Sequence, residues 1–380
     1  MEETKHVLIL TARYGNGHCS AAEALQERLE LVQGCRVTVM DPYSSLHPAF
    51  HKVSEFFYVQ TFTKAVQLYK WFYYGTGKLN HKSPLLKFIM DRTAGQMHDI
   101  VRKLKPDAII NTFPMLFGGT FRKQTGLVIP TVNVITDYCL HPLWMNEDVD
   151  KYYVPTAQVK EKLVSHRVDQ EDVLVTGIPV KKSFENDMCI YSHNSDKPKT
   201  VNKLILLLAT SVSMSDARDF IDCKHSKNTT IQVVTGKNEK LKKQLLAVYA
   251  DREDVLIQGF VSHMASLMKE ADVIVTKPGG LTLTEAVNSL TPLVLLNPVP
   301  GQEKENALFF EKWGCAKIAQ HSADAAMISQ ELLSDEEEYQ RMKKCLNDLM
   351  VPDSAGKIAF DVCCLIDKPI WNHNPINVAL

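Results

Sequence analysis

The segment from Asp272 to Ala286 constrains the fold of this chain more than any other stretch. Its apolar, β-branched run, Val273 to Val275, reads as a strand buried on both faces, as in a parallel sheet. The run stops at Lys277-Pro278-Gly279-Gly280, where proline cannot continue a ladder and glycine permits positive φ. Leu281, Leu283, Ala286, Val287 and Leu290 then recur at helical spacing. A strand, a tight turn and an open helix start form a unit suited to holding an anionic ligand. The same residues also suit an ordinary turn, with Thr282 as the helix cap and Glu285 complementing the dipole.

The arrangement repeats downstream. Leu293 to Leu296 is a second buried strand, Asn297-Pro298-Val299-Pro300-Gly301 a rigid turn, and Gln302-Glu303-Lys304-Glu305-Asn306-Ala307 a second helix start. Adjacent strand ends with polar helix starts are where an open α/β sheet binds ligands. Glu285 suits two vicinal hydroxyls of a ribose, and Gln302 and Glu303 suit sugar hydroxyls. Two such starts in succession predict a nucleotide-sugar site.

The rest of the chain follows the same alternation. His6 to Thr11 reads as a strand running into Ala12-Arg13-Tyr14-Gly15-Asn16-Gly17-His18 and a helix. This is close to a dinucleotide fingerprint, with Asp41 closing the second strand, but Ser20 stands where its third glycine is required. An NAD-dependent enzyme therefore remains an alternative. His18, between strand end and helix start, is either a general base or a capping bystander. Strands at 108–111 and 131–135 follow, the second leading to Asp137, His141 and Trp144. Asp137 and His141 form a candidate acid–base or orienting pair near His18, with Trp144 packed beneath the loop or exposed to an acceptor. Further strands at 152–154 and 173–176 complete a first half. The second half opens at Leu204 and contains strands at 231–235 and 255–257 besides the two above.

At 380 residues, two domains are expected: 1–185, a linker at 186–202, 203–350, and a C-terminal segment at 351–380 that crosses back to the first. Both read as doubly wound α/β domains with the ligand between them. A net charge of −1 supplies no bulk attraction to nucleic acid. Nine scattered cysteines without a Cys-x-x-Cys pair predict reduced thiols, and the first residues lack a secretory signal pattern. No His/Cys/Asp spacing suggests a metal site.

Between Phe50 and Lys78 lie nine aromatic residues, among them Phe57, Tyr69, Trp71, Phe72 and Tyr73, interleaved with Lys52, Lys64, Lys70 and Lys78. This composition suits a helix lying in a membrane interface with lysines on anionic lipid. The alternative is that the rings pack as domain core.

Taken in order, Tyr14-Gly15-Asn16-Gly17-His18, Asn111-Thr112-Phe113-Pro114, Thr136-Asp137-Tyr138 with His141 and Trp144, Thr176-Gly177-Ile178-Pro179, Thr276 to Ala286, and Pro300 to Ala307 resemble the bacterial processive diacylglycerol β-glucosyltransferases. The plant monogalactosyldiacylglycerol synthases and the lipid II glycosyltransferase MurG are similar at greater distance. The resemblance implies a GT-B fold: two Rossmann-like domains facing a cleft. It implies inverting transfer of glucose from UDP-glucose to diacylglycerol and then to glucosyl-diacylglycerol, without a cofactor, at the cytoplasmic face of the membrane. It further implies that His18 serves as base and that Gly15 and Gly17 face the diphosphate. Glu285 would hold the ribose and Gln302 and Glu303 the sugar, while Lys277, Gly279, Gly280, Thr282 and Asn306 shape the UDP pocket. One departure stands out: the loop after Leu208, Ala209-Thr210-Ser211-Val212-Ser213-Met214, contains no glycine. Thr210 and its neighbours would there replace backbone donors with hydroxyls, while Val212 and Met214 add bulk. A donor-binding, catalytically weak membrane regulator is the alternative this loop motivates.

Overall fold

The structure, a computed structural model, describes residues 4–12, 16–42, 95, 97–114, 122, 126–145, 149–185 and 202–368. Gly15, Phe57, Tyr69, Trp71, Phe72 and Tyr73 lie outside the described residues, as does nearly all of the expected linker. The chain divides into two compact units: residues 1–182 together with 353–380, and residues 183–352.

The first unit holds a six-stranded sheet: β1 (Lys5–Leu10), β2 (Cys35–Met40), β3 (Ala108–Asn111), β4 (Thr131–Val134), β5 (Lys151–Val154) and β6 (Val173–Val175). Their spatial order is β2-β1-β3-β4-β5-β6, and every pairing is parallel. Parallel strands are buried on both faces, which is why these segments are continuous apolar runs rather than alternating ones. On one face Val7, Ile9, Ile110, Val132, Val134 and Tyr153 pack against helices α1 (Asn16–Leu29) and α10 (Ser354–Ile366). The opposite face carries Leu8, Leu10 and Ile109 with Met97 and Val101 at one end. At its other end it carries Ile135, Tyr152 and Val154 with helix α2 (Ala157–Ser165).

The helix α10 belongs to this first unit although it ends the described chain. Ala355, Ile358, Ala359, Val362 and Leu365 enter the core, and Asp361 accepts hydrogen bonds from Lys151 (2.7 Å) and Tyr153 (2.7 Å). Lys5 pairs with Asp367 at 2.6 Å and Arg28 with Asp353, so both helix ends are tied down.

The second unit has the strands β7 (Lys203–Leu208), β8 (Thr229–Val234), β9 (Val255–Gln258), β10 (Val273–Thr276), β11 (Leu293–Leu296) and β12 (Ala316–Ala319). Its order is β12-β11-β10-β7-β8-β9, again all parallel. This is the nucleotide-binding order of a doubly wound sheet, with its switch point between β7 and β10. The helices of this unit are α3 (Met214–Ile221), α4 (Glu239–Tyr249), α5 (Met264–Glu270), α6 (Gly280–Ser289), α7 (Gln302–Lys312), α8 (Ser322–Ser334) and α9 (Glu336–Leu349). One core packs Ile205, Leu207, Val233, Val273, Val275 and Val294 against Phe220, Leu245, Ala325 and Met342 from α3, α4, α8 and α9. No helix among the described residues is long and apolar enough to cross a membrane.

Candidate active site

In the first unit the strand order reverses between β1 and β3, and the chain brings His18 there. The strand β1 ends at Leu10, and α1 begins at Asn16, so Gly17 and His18 occupy its first turn. Among the described residues the imidazole is held at Nδ1. Its Nδ1 lies 2.9 Å from the Thr112 carbonyl and 2.8 Å from the Thr136 hydroxyl. A carbonyl can only accept, so Nδ1 carries the proton and Nε2 presents a lone pair. The ring also meets Phe113 edge-on at 5.0 Å. Burial pulls the imidazole pKa down to about 4, against the support of the Thr112 carbonyl. Burial thus favours the neutral ring, a weaker base than an unperturbed histidine.

Among the described residues neither Asp137 nor His141, the pair expected from the sequence, hydrogen-bonds to His18. Both side chains are buried, at 7% exposure, at the end of β4. His141 accepts the Leu143 N–H at Nδ1 (3.2 Å), capping the single turn Pro142–Trp144. That bond engages Nδ1 as an acceptor. The Trp144 ring is likewise no membrane or acceptor contact. It is fully buried against Ile135, Tyr152 and Val154, where the apolar area it removes from water outweighs an indole N–H left without a hydrogen-bond partner among the described residues. Thr112 and Thr136 belong to motifs quoted from the sequence, which assigned them no role. Each directly follows or nearly follows an apolar strand at its carboxyl end, and that placement was the available signal.

In the second unit the two turns singled out in the sequence lie at adjacent strands, since β10 pairs with β11. The helix α6 starts at Gly280 with Gly279 as its N-cap, and no side chain caps it. Thr282 is therefore inside the first turn, not the cap. The first N–H groups of such a helix have no intrahelical partner, and the space that a Cβ on Gly279 would enter is open. The helix α7 likewise starts without a side-chain cap, at Gly301, whose φ of 113° and ψ of −144° lie in a region that only glycine occupies readily. Asn306, fully buried, donates from Nδ2 to the Pro278 carbonyl at 3.2 Å and so ties the two turns together.

The carboxylate of Glu303 folds back to accept the Val299 N–H at 3.2 Å. Burial raises its pKa above the usual carboxylate range, opposed by the positive charge of Lys277 and by the Val299 N–H. Lys277 and Glu303, from successive turns, are thus close enough for the lysine charge to favour the carboxylate. Glu285 lies further along α6, partly buried, and Gln302 is partly buried at the start of α7.

The glycine-free loop after β7 is less obstructive than its sequence implies. Val212 is buried, and Met214 packs against the same core, so their bulk points inward. Thr210 and Ser211 are exposed, while Ser213 caps α3 by accepting the Asp216 N–H at 3.1 Å. The Thr210 methyl occupies the space where a Cβ on Gly236 would come within 2.9 Å, and Gly236 has a φ of +56°. The glycine this region requires follows β8, not β7.

Among the described residues no group of three or more His, Cys, Asp or Glu side chains could hold a metal ion.

Two doubly wound units of this kind are the architecture of the GT-B glycosyltransferases, and the Acinetobacter baumannii MurG structure shares it, with a TM-score of 0.62 at 16% identity over 95% of this chain and 99% of that one. Residues 18–180 match the family described as Monogalactosyldiacylglycerol (MGDG) synthase, and residues 203–355 the Glycosyltransferase family 28 C-terminal domain. The processive diacylglycerol beta-glucosyltransferase of Bacillus subtilis (strain 168) is 39% identical over 369 residues, 95% of this chain and 96% of the relative. That of Bacillus licheniformis is 37% identical over 371 residues, 95% of each. The chain belongs to the family of processive diacylglycerol beta-glucosyltransferases.

Proposed function

We propose that this chain transfers glucose, with inversion, from UDP-glucose to the hydroxyl of diacylglycerol and then onward to glucosyl-diacylglycerol. The observation that carries the mechanism is His18, whose Nδ1 is occupied by Thr112 and Thr136 while Nε2 has no partner among the described residues. In a single displacement the acceptor oxygen bonds to the anomeric carbon as the bond to UDP breaks. The acceptor proton passes to His18 Nε2. A base of depressed pKa takes that proton late, once the new C–O bond has made the hydroxyl acidic.

In this reading residues 1–185 serve the acceptor and residues 203–350 the donor. The uncapped starts of α6 and α7, at Gly280 and Gln302, meet the diphosphate and sugar with their N–H groups and dipoles. Lys277, Thr282 and Thr210 add a charge and two hydroxyls, and Glu285 takes the ribose. Gln302 and Glu303 take the glucose hydroxyls. The leaving diphosphate is thereby neutralised by protein groups. Mass spectrometry of the lipids formed from diacylglycerol with UDP-glucose or UDP-galactose tests the reaction. Glucosyl and diglucosyl products are expected, and their absence, or preferential galactosyl products, would overturn it.

A lipid acceptor requires docking at the bilayer, which we assign to the aromatic and lysine-rich segment at 50–78 on the cytoplasmic face. Co-sedimentation with anionic vesicles should weaken as salt rises and fall when Trp71 and Phe72 are replaced by Ser. A folded variant that sediments in full would make those rings core residues.

A further inference from the structure

No carboxylate among the described residues hydrogen-bonds to His18. Its orientation depends on a backbone carbonyl and one hydroxyl, which differs from the usual carboxylate-backed histidine base. The hydroxyl belongs to Thr136, the residue after Ile135 at the carboxyl end of β4, and is 4% exposed. Its bond to His18 Nδ1, 2.8 Å long, spans 118 residues of sequence, and its oxygen has no other partner among the described residues. The second anchor is local to the first strand pair. The Thr112 carbonyl accepts from Nδ1 at 2.9 Å, while the Thr112 hydroxyl donates to the His18 carbonyl at 3.2 Å, fixing the backbone of the first helical turn.

We propose that Thr136 is a positioning residue: the Thr112 carbonyl sets the Nδ1–H tautomer of His18, and the Thr136 hydroxyl fixes the direction of Nε2. The proposal rests on the reading of His18 as the base. Two acceptors on one N–H leave the ring little freedom to rotate about its Cβ–Cγ bond. With the carbonyl alone, the ring keeps its tautomer but swings about a single hydrogen bond, and Nε2 loses its fixed direction towards the acceptor. The arrangement also explains why a buried threonine hydroxyl, rather than valine, stands at this position among the apolar neighbours Val134 and Ile135. A buried hydroxyl is stabilised only by its partner, and the partner here is the imidazole.

The test compares the parent chain with Thr136→Val, which keeps the shape, and Thr136→Ser, which keeps the hydroxyl. Histidine-labelled protein in long-range ¹H–¹⁵N correlation spectra reports the tautomer, with the His18 signal identified by its loss in His18→Ala. The parent should show His18 as one Nδ1–H tautomer. Thr136→Val should keep that tautomer but shift and broaden the His18 Nδ1–H signal, with kcat about three- to tenfold lower, the effect of one buried hydrogen bond, and an unchanged KM for UDP-glucose. Thr136→Ser should restore both signal and kcat. A parent in the Nε2–H form overturns the proposal whatever the variants do. So does a Thr136→Val chain with parental signal and kcat, or a Ser variant as impaired as Val, which marks the position as packing. Full turnover by His18→Ala would instead remove the base reading, and the spectra would still decide whether Thr136 holds the ring.

Discussion

The switch points of the two units are built on the same principle and equipped in opposite ways. In the first, between β1 and β3, a single titratable ring is fixed by neutral oxygens, and burial lowers its pKa to about 4. In the second, between β7 and β10 and continuing to β11, two uncapped helix starts carry Lys277 and Glu303, and burial raises the carboxyl pKa. Burial disfavours the charged form in both, so a histidine becomes a steadily neutral acceptor and a glutamate becomes an easily protonated one. The first arrangement suits moving a proton, and the second suits gripping an anionic, hydroxyl-rich ligand.

The comparison breaks most sharply at His18. His18→Ala should lower turnover by about 10²–10⁴-fold, the usual contribution of a positioned base. UDP affinity, measured by titration calorimetry, should change little. A collapse of UDP binding with turnover surviving at saturating donor would instead make the first switch point a phosphate site, and the contrast would disappear. Glu303→Ala is the counterpart. Loss of a charged partner to sugar hydroxyls, about 1.5–3 kcal/mol, should lower kcat/KM for UDP-glucose by roughly ten- to a hundredfold. Glu303→Gln retains an acceptor for the Val299 N–H and should keep the parental melting temperature, so unchanged kinetics in both variants would remove Glu303 from the donor site.

A smaller effect is expected at Asn306. Asn306→Ala leaves the Pro278 carbonyl without its donor and should cost on the order of 1–3 kcal/mol of stability, read as a lower denaturation midpoint and weaker UDP binding. A variant of parental stability would show that the two turns hold their places independently. The mildest test is pH. The acid limb of activity should follow Glu303 and appear in KM for the donor, because His18 stays neutral until about pH 4. The stability contributions have opposite signs. For His18, folded below its unfolded value near 6.5, stability is complete above that value and is lost as pH falls towards 4. For Glu303, folded above its unfolded value, the contribution is present below that value and is lost as pH rises through the folded one. An acid limb in kcat alone would place the titrating group at the first switch point instead.

The strands were legible because parallel sheets demand uninterrupted apolar runs, and each run from His6 to Leu296 read in the sequence is a strand of the structure. The two helix starts of the second unit were legible for a related reason: proline and glycine after such a run leave few backbone paths. His18 was visible as a titratable residue at a strand-to-helix junction, whereas its partners were not. Thr112 and Thr136 are ordinary polar residues in sequence, and they meet the imidazole only because β3 and β4 stand in order beside β1.

The sequence by itself determined the alternation of strands and helices, the two-unit organisation and the turns at Gly279 and Gly301, because these follow from hydrophobic period and local backbone restriction. Only the tertiary structure decided which polar groups face one another. It placed His141 as a cap and Trp144 in the core, turned Val212 inward, tied Asn306 to the Pro278 carbonyl, and selected the nitrogen of His18 that carries the proton. Those outcomes depend on contacts between residues distant in the chain and on the loss of water around them, and no local pattern encodes either.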